Sequence, residues 1–437
     1  MNRRLSRGFA TLLVLWVAAI ASVIMVTVEA ISATQAVAGR EALARVRAAW
    51  AARAGLEFAL ARAEFDSLNP STSSVFALFD DLAASGEGRL QDSAWRLSYT
   101  DQDGDRLGVR DAHEKINLNI ATAAQLALLP EMPEDGPDSV ADWIDADDDT
   151  RALGAERSFY QSRLYGYKPR NGPFKSIAEL ELVVGMSAEV VRGEDWNLNG
   201  RLDPNEDDGD LSWPPDNADG RLDAGLSAYL TVASVDGGLG VSGEARLDLA
   251  TATSAQVVQR LGVDAVQAQV IAGYGASSGA TITTFISRTL RQLATTAGLD
   301  QAAAAAVRNL DREQLGTLLN ECVIGDASGG KPGKLNINTC DAEVLEYIPE
   351  ITPTLADAII FERSGRPDGF RSVADLLDVP TMNNQRLARV AQYLDVRSNA
   401  IIVSSRGRDS KTGIEVEIVA TVDRSTIPAV ITELRTQ

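Results

Sequence analysis

Between Asp195 and Glu206 the chain reads Asp-Trp-Asn-Leu-Asn-Gly-Arg-Leu-Asp-Pro-Asn-Glu. Oxygen-bearing side chains fall at the first, third, fifth, ninth and twelfth places (Asp195, Asn197, Asn199, Asp203 and Glu206), and Gly200 holds the sixth. A hard cation such as Ca2+ takes about six to eight oxygens. A short loop can wrap them around it only if a sharp turn falls at the sixth place and a two-oxygen carboxylate closes the twelfth. The backbone carbonyl of Arg201 supplies the seventh-place ligand, and Leu202 is expected to point into a core. The chemistry this pattern predicts is Ca2+ binding.

Gly-Arg-Leu-Asp recurs at Gly220 to Asp223, preceded by Asp216, Asn217 and Asp219. The first place of a strict loop here falls on Pro215, which has no side-chain oxygen. Either Asp216 or a distant acid such as Asp210 must complete this second site. Asp207, Asp208 and Asp210 lie between the copies, and only Arg201 and Arg221 offset the segment, so without cations its carboxylates repel one another. A third candidate combines alternating Asp145 and Asp147 with Glu156. Asp101, Asp103 and Asp105 fit a hairpin turn instead. No EF-type helices flank the first loop, so its ion is expected to be structural and not a signal.

Catalysis has little to work with. The single histidine, His113, leaves zinc hydrolase and Ser-His-Asp schemes without their usual groups, and no glycine-rich phosphate loop follows a strand. We expect His113 to be a structural or surface residue and the protein not to be an enzyme. The formal charge of −20 argues against nucleic acid across the surface and favours cations. Cys322 and Cys340 leave room for one disulfide or for two buried thiols.

The elements that must position these residues begin at the N-terminus. Phe9 to Val28 carries no charge and no proline, and a helix of that length spans roughly the 30 Å of bilayer hydrocarbon. Arg3, Arg4 and Arg7 precede it, which predicts a cytoplasmic leader and a head on the far side of the membrane. The following stretch is Ala-rich and free of proline until Pro70, so one helix is expected to continue to about residue 66.

Two regions alternate apolar and polar residues as hairpins do: Ala94–Thr100 with Arg106–Asp111, and Ala400–Ser405 with Ile414–Val422. They predict a small antiparallel sheet over the helix, its strands separated by a long helical insertion. That insertion repeats itself: Lys115-Ile-Asn-Leu-Asn-Ile-Ala-Thr returns as Arg246-Leu-Asp-Leu-Ala-Thr-Ala-Thr and as Lys334-Leu-Asn-Ile-Asn-Thr-Cys-Asp. Each copy passes a Thr or Asp that can cap and enters a helix. Phe174-Lys-Ser-Ile and Phe370-Arg-Ser-Val follow the first and third, which predicts two related modules with a partial or divergent middle copy.

Arg7-Gly8 followed by Phe9 and an apolar helix resembles the type IV prepilin leader. That resemblance implies peptidase cleavage between Gly8 and Phe9 and N-methylation of Phe9. Most members of that superfamily carry Glu five residues into the mature chain, thought to neutralise the terminal ammonium of a neighbour. This chain has Leu13, and in that it resembles the K minor pseudopilins of type II secretion, thought to sit at the tip. Asp142-Trp-Ile-Asp with Gly154-Ala-Glu156 and Tyr160 resembles a segment of the same family. Leu-Asn-Ile-Asn-Thr with Phe-x-Ser-Val resembles the helix-hairpin-helix module, whose DNA binding relies on a Gly-x-Gly hairpin. Here Leu129-Pro-Glu-Met-Pro133 and Ile348-Pro-Glu-Ile-Thr352 put Glu where glycine is needed, so protein scaffolding is expected and nucleic-acid binding is not.

The resemblance thus implies an α+β fold: a pilin-like long N-terminal helix on a small antiparallel sheet, with a mainly α-helical insertion of SAM-like modules between strands. The expected order is leader 1–8, transmembrane helix 9–28, first strands 67–114, insertion with the first module and cation loops 115–330, second module 331–398, and last strands 399–437. The head would be periplasmic on the bacterial inner membrane. Its partners would be the I and J minor pseudopilins, the major pseudopilin and the inner-membrane platform. A type IV pilus minor pilin and a membrane-anchored DNA-uptake protein are the competing readings.

Overall fold

The computed structural model describes residues 7–71, 74–101 and 104–437. The leader residues 1–6, with Arg3 and Arg4, lie outside the described residues, as do Thr72, Ser73, Gln102 and Asp103.

Helix α1 runs unbroken from Arg7 to Leu68. Its first part is the one helix among the described residues long and apolar enough to cross a membrane, with a mean hydropathy of 2.6 and no part of that window buried. The hydroxyls of Ser22, Thr27 and Thr34 donate to the carbonyls four residues earlier, so the few polar groups along the helix are satisfied within it. The C-terminal half changes role. Ala44, Ala48, Ala51, Ala52, Leu56, Ala59 and Ala63 are buried, a stripe at helical spacing that lies on a sheet.

Among the described residues that sheet has seven strands: β1 (Glu87–Leu90), β2 (Ser93–Asp101), β3 (Gly104–Leu107), β4 (Arg110–Asp111), β5 (Ala400–Asp409), β6 (Glu415–Asp423) and β7 (Val430–Thr436). The order is β1-β2-β5-β6-β7, with β3 paired to β2 and β4 to β5, all antiparallel. The two hairpin regions therefore meet at β2 and β5, with β1 and β7 added at the edges. Leu56, Leu82, Leu97, Val109, Ile401, Val403 and Ala420 form the core between helix and sheet. Gly407 permits the close approach: a Cβ there would lie 1.9 Å from the Ala48 carbonyl oxygen.

Everything between β4 and β5 is mainly helical and built from three copies of one frame. Each copy opens with a short strand and closes by pairing a later strand to it in parallel: Ile116–Asn117 with Leu230–Thr231, Leu247–Asp248 with Cys322–Val323, and Leu335–Asn336 with Leu394–Asp395. In the first, Asn117 Oδ1 accepts from the Asn119 N–H, and Asn119 bonds both the N–H and the carbonyl of Phe174. In the third, Asn336, Asn338 and Phe370 repeat those bonds.

Of the two alternatives for the middle copy, partial or divergent, the structure shows the divergent one: it is a whole module. Asp248 accepts from the Ala250 N–H in the same way, but Ala250 has no amide to hold the second segment. Left-handed backbone recurs at matching turns, at Glu131, Gly262 and Glu350 and again at Gly185, Gly298 and Thr381. Glutamate therefore occupies the glycine-type position of the first and third hairpins. Thr122 and Thr253 cap their helices as expected; Asp341 makes no side-chain cap bond.

Candidate functional site

The Asp195 loop sits inside the first module, between its last helix (Ala188–Arg192) and its closing strand. Asp195 is buried, and its two carboxylate oxygens accept from the Asn199 and Gly200 N–H groups at 2.8 and 2.9 Å. Asn197 Oδ1 accepts from Asn199 N–H and Asn199 Oδ1 from Arg201 N–H. The amides of Asn197 and Asn199 both donate to Asp203 Oδ2. Glu206 folds back so that its carboxylate accepts from the Trp196 and Asp203 N–H groups, both at 3.0 Å. Leu198 and Gly200 take left-handed backbone.

The side chains of Asp195, Asn197, Asn199, Asp203 and Glu206 are thus tied into one hydrogen-bonded loop that also holds the Arg201 N–H. Burial first, then the charges of Asp195 and Asp203, push Glu206 up to about 7 despite its backbone bonds. Burial also raises Asp195. Converging carboxylates that resist ionisation are what a divalent cation relieves, so the donor set fits Ca2+.

The second copy repeats this hydrogen-bond code with two carboxylates the sequence did not point to. Asn217 Oδ1 accepts from Asp219 N–H and Asp219 Oδ1 from Arg221 N–H, and left-handed backbone falls at Ala218 and Gly220. The part played by Asp195 goes to Asp207, which accepts from Gly220 N–H at 3.0 Å. The part played by Glu206 goes to Glu194, whose carboxylate accepts from the Asn217 and Asp223 N–H groups. Asp216, expected among the ligands, instead accepts from the Asp208, Gly209 and Ala218 N–H groups and shapes the intervening turn.

Each loop is therefore closed by the glutamate that precedes the opening aspartate of the other: Glu194-Asp195 and Glu206-Asp207. The paired Glu-Asp steps are the signal that could have revealed it. Gly193 makes the pairing possible, since a Cβ there would lie 2.1 Å from the Asp223 carbonyl oxygen.

The first loop also docks on the sheet. Arg201 donates to Asp105 Oδ1 at 2.8 Å and to the Ser98 carbonyl, and Arg435 of β7 donates to the Asn197 and Leu198 carbonyls.

The third candidate changes membership. Asp142, Asp145 and Glu156 each bring one carboxylate oxygen within 4.8 Å of the others, while Asp147 is exposed and caps the turn at Asp149. Asp142 and Asp145 lie three residues apart on one helical face, whereas strand-like alternation of 145 with 147 does not apply there. The Arg151 guanidinium bridges Asp142 and Asp145 at 2.5 Å each. Glu156 is 2 % exposed with neither carboxylate oxygen hydrogen-bonded, and burial, then the charges of Asp142 and Asp145, push it up to about 7.

The cysteines do not pair. Cys322 opens the closing strand of the middle module and Cys340 lies in the third, both buried free thiols that burial pushes up to about 12. His113 is buried and structural. Its Nε2 accepts from the Val235 and Asn399 N–H groups, so Nδ1 carries the proton and donates to the Lys334 carbonyl at 3.0 Å. Gly8 and Phe9 stand in the first turns of α1, and Leu13 is exposed on it.

Compared with known proteins, residues 117–193 match the family model described as Type II secretion system (T2SS), protein K, and residues 331–395 match that of a helix-hairpin-helix motif. No curated protein matches the chain. Among solved structures, a chain of the crystal structure of the GspK-GspI-GspJ complex from the enterotoxigenic Escherichia coli Type 2 Secretion System is similar at 15% identity. The similarity covers 91% of this chain and 99% of that chain, with a TM-score of 0.48.

Proposed function

We propose that this chain, whose residues 117–193 match the family model of type II secretion protein K, is a membrane-anchored minor pseudopilin of that kind. It caps the tip of the pseudopilus and helps start its assembly for protein export across the outer membrane. The observation that carries the tip position is Leu13. In the superfamily that the N-terminus resembles, a carboxylate at this place neutralises a neighbour's terminal ammonium, because an unpaired charge in hydrocarbon is costly. A subunit with leucine there receives no neighbour above it. The three-module head inserted between β4 and β5 supports the same position, since so broad a head obstructs further stacking.

On this reading prepilin peptidase cuts between Gly8 and Phe9 and Phe9 is methylated. The head lies in the periplasm, and the partners are the I and J minor pseudopilins, the major pseudopilin and the inner-membrane platform. The chain performs no catalysis. We propose no nucleic-acid role for residues 331–395, because Glu350 holds the hairpin position that would meet phosphate and the chain carries a formal charge of −20.

The two interlocked loops hold structural Ca2+, one ion through Asp195, Asn197, Asn199, the Arg201 carbonyl, Asp203 and Glu206. The second uses Asp207, Asn217, Asp219, Asp223 and Glu194. A third ion at Asp142, Asp145 and Glu156 would have to displace Arg151.

Co-purification with the I and J minor pseudopilins, with and without chelator, tests the reading. A stoichiometric complex that includes this chain is expected, and its failure to form with either partner would overturn the assignment. Leu13→Glu is expected to reduce secretion while leaving the head folded. Wild-type secretion from that variant would show that this position does not set the place at the tip.

A further inference from the structure

The face of the sheet turned away from α1 carries an arginine groove that neither the cation loops nor the membrane helix uses. Trp95 packs at a tilt against Phe58 of α1 with ring centroids 5.2 Å apart, and Gly407 faces Ala48, so their neighbours Ala94, Arg96, Arg406 and Arg408 point the other way. The register sets Arg96 directly opposite Arg406. One row along, Ala94 lies between Arg89 on β1 and Arg408 on β5. Ala94 forms the floor of a groove whose lining includes these four arginines with Glu87 and Glu415.

Like charges directly opposite on one sheet face destabilise it. Among the described residues, Arg406 pairs with Asp105 at 3.1 Å and stands opposite Glu417 of β6, while Arg96 with Glu87 at 3.4 Å and Arg408 with Glu415 at 3.6 Å are open ion pairs, their side chains 45 to 65 % exposed. Such exposed pairs are worth little and exchange readily. A chain with a formal charge of −20 therefore gathers four arginines at one place on its outer sheet face, beside the part that Arg201 covers through Ser98 and Asp105.

We propose that this groove binds an acidic segment of a partner protein. Arg89 and Arg408 are two strand spacings apart, about 10 Å, and the two arginine rows are separated by about 7 Å along the strands. Side chains of alternate residues on an extended chain repeat at the same spacing of about 7 Å, so one short extended peptide with several carboxylates can meet both rows at once, paired to arginines by charge-assisted bonds, where a single phosphate offers only one point of attachment. The inference is independent of the reading as a tip subunit.

The test uses the full chain in detergent and a labelled hexaglutamate peptide, with hexaglutamine and inorganic phosphate as controls. Hexaglutamate is expected to bind and to weaken as salt rises. Hexaglutamine should not bind, and phosphate should compete only weakly. Arg96→Gln with Arg408→Gln is expected to weaken binding by about tenfold or more, and Arg389→Gln, on a helix of the third module, should change nothing. Arg96→Lys with Arg408→Lys keeps the charge and should retain most of the affinity, which separates lost charge from lost folding. The proposal is overturned if hexaglutamate fails to bind, if the Gln pair binds like wild type, or if phosphate alone competes as strongly as the peptide.

Discussion

The first and third helical modules share a frame and differ at one joint. Both are opened by an Asn-x-Asn turn, both use the second asparagine to hold a phenylalanine backbone, and both close with a parallel strand. In the third module the last helix (Asn384–Val390) reaches its closing strand through residues 391–393. In the first, residues 193–229 fill the same place with two interlocked acidic loops.

The two modules also meet the sheet domain by different chemistry. The third docks through hydrogen bonds to one carboxylate and through apolar contacts: Asn336 and Thr339 donate to Asp111, and Gly369 packs against Val75 and Phe76. The first docks through the loop residues, by Arg201 on the sheet and by Arg435 on the Asn197 and Leu198 carbonyls. The shared frame is thus self-sufficient in the third module, while the first is attached through its acidic loops, so that under the proposed function its attachment depends on cations.

The largest expected effect that would separate the modules is on ion affinity. Asp195→Ala should weaken Ca2+ binding by about a hundredfold or more, measured by calorimetry, whereas Asn338→Ala in the third module should leave it unchanged. An equal loss from both would erase the distinction. Next, saturating Ca2+ at about a hundred times its dissociation constant should stabilise the chain by about 2.7 kcal/mol. Asp195→Ala should lose that gain in a melting experiment, and Asn338→Ala should keep it.

The shared frame itself predicts a smaller and graded cost. Asn338 is buried and also donates to the Val396 carbonyl, so Asn338→Ala should cost about 2–3 kcal/mol in denaturant unfolding. Asn119 is half-buried, and its replacement should cost about 1–2 kcal/mol.

The smallest effect is a pH trend confined to the cation-free state. Glu206 and Glu156 are raised to about 7 in the folded chain, so there they keep protons that the unfolded chain releases nearer pH 4 to 5. Their contribution to stability is present at low pH and is lost as pH rises through about 7. Chelated protein should therefore melt lower at pH 8 than at pH 5.5, and Ca2+ should remove the share due to Glu206. A chelated protein that melts higher at pH 8 would contradict the burial of these carboxyls.

Much of this was legible because it is local. The apolar run from Phe9, the alternating strands at β2 and β5, the Asn-x-Asn repeats and the loop from Asp195 each declare themselves within a dozen residues. What was hidden depends on distant segments. Asp207 and Glu194 complete a site whose core lies at Asn217 to Asp223, outside any single loop window.

The middle module has Ala250 in place of the second asparagine, which left partial and divergent as equal readings until its closing strand at Cys322 showed it complete. β1 is only Glu-Gly-Arg-Leu, without an alternating apolar pattern, and is a strand because β2 pairs with it. Asp142 replaced Asp147 because the segment is helical up to Ile144 and helical spacing decides which acids share a face. The cysteines lie in different modules, which no count of cysteines reveals.

Hydrogen exchange on the full chain with and without Ca2+ tests the conditional attachment most directly. The account predicts that Ca2+ slows exchange at residues 195–206 and 207–223 and at β7, where Arg435 grips the loop, while residues 335–396 remain unchanged. Equal protection with and without the ion, or a change spread evenly into the third module, would contradict it.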